Sequence, residues 1–332
     1  MARYRFAAII FFLHLAVPTF AFTQGKPEKE RIRISYSSRA IVHTVPYVTT
    51  EAGFFREEGI QVEIVQTTGP LAPLALISGD VDFANMSGLL LISASVQYPD
   101  LVMLGGFTRY IAQSLISRPE IPTVKELRGK IVGVQRPGDG IERNARFALR
   151  HLGLNPDKDV KLVYLGSTEV MWPALESGKV DATMLSPPTS VLARRARMNV
   201  LVNLSDLKLE YQGSVVATRR SFIRDHPNLT QRVVRALVRG LHFFKTRRED
   251  TLLILSKFFA TKDREALEET WKYNSDMPAK PYAVDTAVQA VIDHLAERDP
   301  RYAQRKPAEF IESRPLLELD RSGAIDRLYG KN

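Results

Sequence analysis

From Ile32 to Tyr36 apolar and polar residues alternate, Ile32-Arg33-Ile34-Ser35-Tyr36. That is the period of a half-buried β-strand, and it ends in Ser37-Ser38-Arg39. The period then lengthens. Val45, Tyr47, Val48, Ala52 and Phe55 recur at helical spacing up to Gly59, where glycine tolerates the left-handed backbone that stops helices. Val62-Glu63-Ile64-Val65 predicts a second strand, closed by Thr67-Thr68-Gly69-Pro70 before another helix. A strand from Val81 to Ala84, a helix from Leu89 to Val96 and a strand from Leu101 to Leu104 follow. The scheme then restarts, with Lys130 to Val134 as strand, Ile141 to Leu152 as helix and Lys161 to Leu165 as strand. Beyond residue 220 helical periodicity dominates. Ser221 to Arg247 places Val233, Val234, Leu237, Val238, Leu241 and Phe244 on one face, and 251–259, 264–273 and 283–298 also read as helices.

The restart is a repeat. Ala75 to Ser87, ALISGDVDFANMS, returns as ALESGKVDATMLS from Ala174 to Ser186, an offset of 99 residues (174 − 75). The same offset pairs Leu101-Val102-Met103 with Val200-Leu201-Val202 and Gln113 to Ile116 with Gln212 to Val215. Two long copies do not make a solenoid, which stacks many short units; they predict two similar α/β lobes. In each copy a helix ends at Gly79 or Gly178 and a short strand runs into small polar groups, Asn85 and Ser87 in one, Ser186 in the other. Gln113 to Arg118 and Gln212 to Arg219 are the expected crossings between lobes, a two-stranded hinge. Lobe 1 then comprises 31–110 and 219–332 with the C-terminal helices, and lobe 2 comprises 111–218.

Composition adds compartment and excludes chemistry. Arg3 and Arg5, an apolar run from Phe6 to Val17 and Pro18-Thr19-Phe20-Ala21 match a secretory signal peptide. Cleavage is expected after Ala21, leaving a linker at 22–30 and a periplasmic protein. The run falls short of the ~20 apolar residues that span a bilayer. There is no cysteine, hence no disulfide, thiolate metal site or cysteine nucleophile. The net charge of +9 becomes +7 without Arg3 and Arg5. Its basic clusters, Arg194-Arg195-Ala196-Arg197 and Arg219-Arg220, read as solvated helix faces rather than a nucleic-acid surface. No HExxH, phosphate loop or close histidine pair occurs, so no catalytic residue, metal or cofactor is assigned.

Four motifs carry a resemblance: Ala52-Gly53-Phe54-Phe55-Arg56-Glu57-Glu58-Gly59-Ile60, Ala75 to Phe83, Val124-Lys125-Glu126-Leu127-Arg128-Gly129-Lys130, and Gly178-Lys179-Val180-Asp181-Ala182. Together they resemble the substrate-binding proteins of nitrate-, taurine- and alkanesulfonate-type ABC importers and their thiamine-pyrimidine-precursor-like relatives. The resemblance implies a two-lobed periplasmic-binding-protein-like (type II) α/β fold with a mixed sheet flanked by helices in each lobe. It also implies a monomer that takes a small-molecule solute from the periplasm to an ABC-type permease in the inner membrane. An enzyme of the pyrimidine-precursor-synthase type, or a periplasmic ligand-sensing subunit, is the alternative on the same fold. The absence of cysteine departs from what the enzymatic branch implies.

Ligands of open α/β sheets bind beyond the carboxyl ends of strands, where loops and helix N-termini meet. The candidate contacts are therefore Ser37, Arg39, His43, Thr67, Gly69, Asn85 and Ser87 from the first lobe, and Gly138, Asp139, Ser167, Thr168, Ser186 and Pro187 from the second. The serines are equally suited to capping helices. His43, lacking a sequence partner, is expected on a helix surface or against the solute. Trp172 either walls the cleft or fills core. Arg39, Arg109 and Arg136 offer positive charge and Asp139 negative charge, so the sign of the ligand stays open.

Overall fold

The computed structural model describes residues 27–67, 69 and 71–330. The predicted leader lies outside them, and the linker only partly inside. Among the described residues ten strands form two five-stranded mixed sheets: β1 (Arg31–Tyr36), β2 (Gln61–Gln66), β3 (Phe83–Ser87), β4 (Leu101–Gly106), β5 (Ser114–Ser117), β6 (Ile131–Val134), β7 (Lys161–Tyr164), β8 (Ala182–Leu185), β9 (Asn199–Asn203) and β10 (Ser214–Arg219). The first sheet runs β2-β1-β3-β10-β4 and the second β7-β6-β8-β5-β9. In each, the first three strands are parallel and the fourth is antiparallel to both neighbours.

The topology explains the 99-residue repeat. β3 corresponds to β8 and β4 to β9, and β5 corresponds to β10 although the two lie in opposite sheets. Each lobe thus receives its fourth strand from the far side of a crossing. Gln113 to Arg118 and Gln212 to Arg219 were expected to be the crossings; instead they contain these central strands. The reason is burial: Ser114 to Ser117 and Ser214 to Thr218 are buried throughout, which suits an interior strand and not an exposed connector. The crossings lie just before them, at 107–113 and 204–213, joined by an antiparallel bridge between Tyr110 and Glu210.

The repeated Val-Asp turns out to be a clamp. Asp82 accepts a hydrogen bond from the Arg33 N–H (2.9 Å) and Asp181 one from the Ile131 N–H (2.9 Å). The N–H groups of Asp82 and Asp181 in turn donate to the carbonyls of Arg33 and Ile131. In both lobes the turn after the left-handed glycine (φ 81° at Gly79, 75° at Gly178) thereby fixes the edge of the first parallel strand to the next.

Alternate strand residues supply two cores. Phe83, Val102 and Leu104 face a cluster with Leu237, Leu241 and Phe244. Ala84, Leu101 and Met103 face the other, which runs on through Ile111 and Leu115 into the second lobe. Phe55 of the Gly-Phe-Phe motif is buried in the first of these, as core packing predicts. The helix expected over 221–247 is two, Arg220–Asp225 and Pro227–Thr246. Pro227 donates no N–H and disfavours helical backbone at His226, so it begins a new helix. The helix expected up to Gly59 likewise divides at Gly53, whose φ is 84°. Helices Arg314–Arg321 and Ala324–Leu328 lie beyond those expected.

One basic cluster is not merely solvated. Arg194 pairs with Glu269, and Arg195 with Asp263 and Glu265, linking the second lobe to the helix Arg264–Ser275 that packs on the first. The arginines are two-fifths exposed, so solvent screens these pairs and each contributes little.

Asp82→Ala and Asp181→Ala should each lower unfolding stability by about 1–2 kcal/mol, the cost of leaving a part-buried backbone donor without its partner. Urea unfolding followed by circular dichroism measures this, and a loss well below 1 kcal/mol in both would contradict the clamp.

Candidate functional site

The crossings floor a cleft between the carboxyl ends of the two sheets. It encloses a cavity of ≈ 120 Å³, lined from the first lobe by Ser37, Ser38, His43, Gly69 and Ser87, from the second by Gln135, Asp139, Arg143, Asn144 and Ser186, and from the crossings by Tyr110, Gln113 and Tyr211. Ile41, Leu89, Ile111 and Ile141 complete apolar walls.

His43 is buried, not on a helix surface. Its Nδ1 lies 3.1 Å from the Ser38 carbonyl oxygen and its Nε2 3.1 Å from Ser37 Oγ. Ser38 Oγ also lies 3.1 Å from Nδ1; because the carbonyl only accepts, the tautomer that satisfies it carries the proton on Nδ1 and leaves Nε2 to accept from the Ser37 hydroxyl. Burial pushes the His43 pKa down to about 4, against a weaker opposing contribution from the Ser38 carbonyl. The imidazole is therefore neutral at physiological pH.

Asp139 begins the helix Gly140–His151. Its carboxylate accepts from the N–H groups of Ile141 and Glu142 (both 2.9 Å) and of Arg136 (3.1 Å). Burial raises its pKa to about 6 despite those bonds. Ser87 likewise caps Gly88–Ser95 through the Leu90 N–H, while Ser186 makes its hydrogen bonds through its carbonyl. Gly69, with φ 52°, brings the backbone against the Arg136 side chain of the opposite lobe.

Of the sequence candidates, Ser37, His43, Gly69, Ser87, Asp139 and Ser186 meet in this cavity. Arg39, Thr168, Pro187 and again Ser186 line an adjoining groove at its mouth. Asn85 does not reach the cavity: its amide nitrogen donates to Ser214 Oγ and the Val215 carbonyl, so it ties β3 to β10. Thr67 follows the edge strand β2, its N–H bonded to the Tyr36 carbonyl. Gly138 lies on the outer side of the loop, with φ 73° and its N–H on Glu142. Ser167 precedes the short turn Thr168–Val170 and lines neither space. Trp172 packs against the core. Arg136 donates to the Gly166 carbonyl and Arg109 to the Tyr110 hydroxyl.

Gln113, Gln135, Arg143, Asn144 and Tyr211 were not among the candidates. Arg143 stands one turn into the helix that Asp139 caps, so a search of loops alone stops four residues short of it. Tyr211 and Gln113 lie at the crossings, where the repeat placed only the hinge.

Comparison with known proteins agrees with this architecture. The family model described as NMT1/THI5 like matches residues 40–250. The riboflavin-binding protein RibY of Chloroflexus aurantiacus is 26% identical over 244 residues, 68% of this chain and 66% of that protein, just under two thirds of its length. A solved Bordetella bronchiseptica protein aligns with a TM-score of 0.76 at 19% identity, covering 90% of this chain and 100% of its own. The periplasmic aliphatic sulphonate binding protein SsuA of Escherichia coli aligns at 0.66 and 22% identity, covering 87% and 99%. These structures share the two-lobed periplasmic-binding-protein fold.

A histidine whose folded pKa lies near 4 and unfolded pKa near 6.5 binds its proton first in the unfolded chain. Stability is therefore lost as pH falls from 6.5 to 4, by up to about 3 kcal/mol for this group. Asp139, raised to about 6, works in the opposite sense, and its contribution is lost as pH rises from 3.8 to 6. His43→Gln should flatten the acid-side decline relative to the parent in urea unfolding at pH 4 to 6.5. An unchanged decline would contradict a neutral, buried His43.

Proposed function

The chain belongs to the NMT1/THI5-like family, and from that premise we propose that it is a periplasmic receptor that captures a small solute between its lobes and delivers it to an ABC-type permease. The observation that carries this reading is the cavity itself: neutral hydroxyls and amides from both lobes and both crossings face one apolar-walled space. A ligand touching both lobes favours the closed arrangement, because it binds that arrangement better than the open one. In this reading Ser37, Ser87 and Ser186 offer hydroxyls, His43 holds the first-lobe serines in place, and the lobes comprise 31–106 with 214–330 and 114–203. The Phe6-to-Val17 leader supports export, and the periplasmic SsuA supports the location. The chain acts as a monomer with a membrane partner and no nucleic acid.

A second reading rests on Ser37 Oγ and His43 Nε2 being 3.1 Å apart, the contact through which a histidine activates a serine nucleophile. With Nδ1 on a carbonyl instead of a carboxylate and a pKa near 4, this imidazole is a weak base, which favours the receptor.

Mass spectrometry of the small molecule that co-purifies with the protein tests both. Returned to the stripped protein at 100 times its Kd, that solute should add about 2.7 kcal/mol of stability and be recovered unchanged. No solute together with no stabilisation by any member of a broad metabolite panel contradicts the receptor; a changed solute supports the enzyme.

A further inference from the structure

Tyr211 lies in a crossing but is held by the first lobe. Its N–H donates to the Arg109 carbonyl (2.8 Å), the Gly213 N–H to Thr108 and the Phe107 N–H to Ser214 (both 2.9 Å), so at this end the two crossings form one paired ribbon. Gln212, 1% exposed, fastens the ribbon. Its N–H donates to the Ala287 carbonyl (3.0 Å), its Oε1 accepts from the Val284 N–H (3.2 Å) and its Nε2 donates to the Thr108 carbonyl (3.1 Å). Ala287 belongs to the helix Asp285–Ala296, which packs on Gly88–Ser95 of the first lobe. A Cβ at Gly106 would collide with Gln212 Nε2, so this seat needs glycine.

Arg143 belongs to the second lobe. It stands in the helix Gly140–His151, where one terminal nitrogen donates to the Asn144 side-chain oxygen. The Asn144 amide donates to Gln113 Oε1 (2.6 Å), and the Gln113 carbonyl accepts from the Leu204 N–H (2.9 Å). Gln113 thus fixes the second-lobe end of the crossings as Gln212, its equivalent 99 residues on, fixes the first-lobe end. Between that bond and the bridge at Tyr110 and Glu210, the stretches 111–112 and 205–208 share no backbone hydrogen bond among the described residues. Lys208 turns left-handed there, at φ 46°. This loosely tied stretch separates the body that holds Arg143 from the body that holds Tyr211.

Across it the two side chains meet. The Arg143 guanidinium carbon lies 3.3 Å from the centroid of the Tyr211 ring, and Tyr211 is 6% exposed. Arg143 Nε is buried with no hydrogen-bond partner. Burial lowers the Arg143 pKa, with Tyr211 as the opposing influence. A cation withdrawn from water without a carboxylate is costly, and the ring face, with Asn144, is what compensates it. We propose that this stack is a latch between the lobes, made on closure and broken on opening, which holds part of the population closed before any solute arrives. The latch rests on the receptor reading, in which the lobes move. By populating the closed arrangement in advance, it raises the apparent affinity for solute.

Distances between spin labels at Leu71→Cys and Val170→Cys, one exposed position on each lobe, test this in stripped protein with no solute added. The parent should show a closed, short-distance component. Arg143→Met and Tyr211→Leu should each shift the closed-to-open ratio toward the longer distance by about threefold to thirtyfold, the range for a guanidinium stacked on a ring. Tyr211→Phe keeps the ring face and should leave the ratio unchanged, and Arg143→Lys should keep part of the closed component. If Arg143→Met does not fold, Tyr211→Leu against Tyr211→Phe decides. A purely structural role would lower the urea midpoint of Arg143→Met and Tyr211→Leu while leaving their distances as in the parent, and that result overturns the latch. A parent with no closed component, or a Tyr211→Phe variant as open as Tyr211→Leu, overturns it too. The co-purified solute judges the receptor separately.

Discussion

Everything in this molecule depends on the exchange of one strand between two sheets. β5 and β10 are the same strand of the ancestral-looking repeat, yet each completes the sheet of the other half, antiparallel between two neighbours. Because both are buried, neither lobe has a closed core without the segment that arrives across the crossing. The crossings are thus short, paired at Tyr110 and Glu210, and pinned at both ends by strands that cannot leave. The space above the crossings becomes the cleft.

That constraint also sets the chemistry of the cleft. The carboxyl ends of the parallel strands point into it from both sides, so the capped helices that follow begin at its walls. Ser87 and Asp139 occupy equivalent tasks as caps on opposite walls. The crossings add side chains that belong to neither lobe, Tyr110, Gln113 and Tyr211. Arg143 lies where a wall helix meets this floor, and its stacking on Tyr211 connects the second lobe to the hinge.

Much of this was legible in the residues. Alternation gave the first strand, short apolar runs between turn signals gave others, and the 99-residue offset gave two like lobes and their polar strand ends. What local pattern could not convey was the exchange: a repeat says that Gln113 and Gln212 are equivalent, but not that the strands after them change partners. The buried runs Ser114 to Ser117 and Ser214 to Thr218 were the available sign. Among site residues, strand-end loops yielded Ser37, Gly69, Ser87, Asp139 and Ser186, because loops after parallel strands must lie at the cleft. Asn85 ties β3 to β10, because a polar side chain at a strand end serves the sheet as readily as a ligand. Arg143 escaped because an arginine in an amphipathic helix looks the same whether it faces water or a cavity; the burial of His43, itself a candidate, escaped because its partners, Ser37 and Ser38, become partners only when the chain turns back.

The absence of cysteine allows the central claim, that the halves close on a guest, to be measured directly. Spin labels at Leu71→Cys and Val170→Cys, exposed positions 99 residues apart on opposite lobes, report the span across the cleft by pulsed electron double resonance. The account predicts a shorter, narrower distance distribution when the solute recovered from the native protein is returned to stripped protein. An identical distribution with solute demonstrably bound would contradict it.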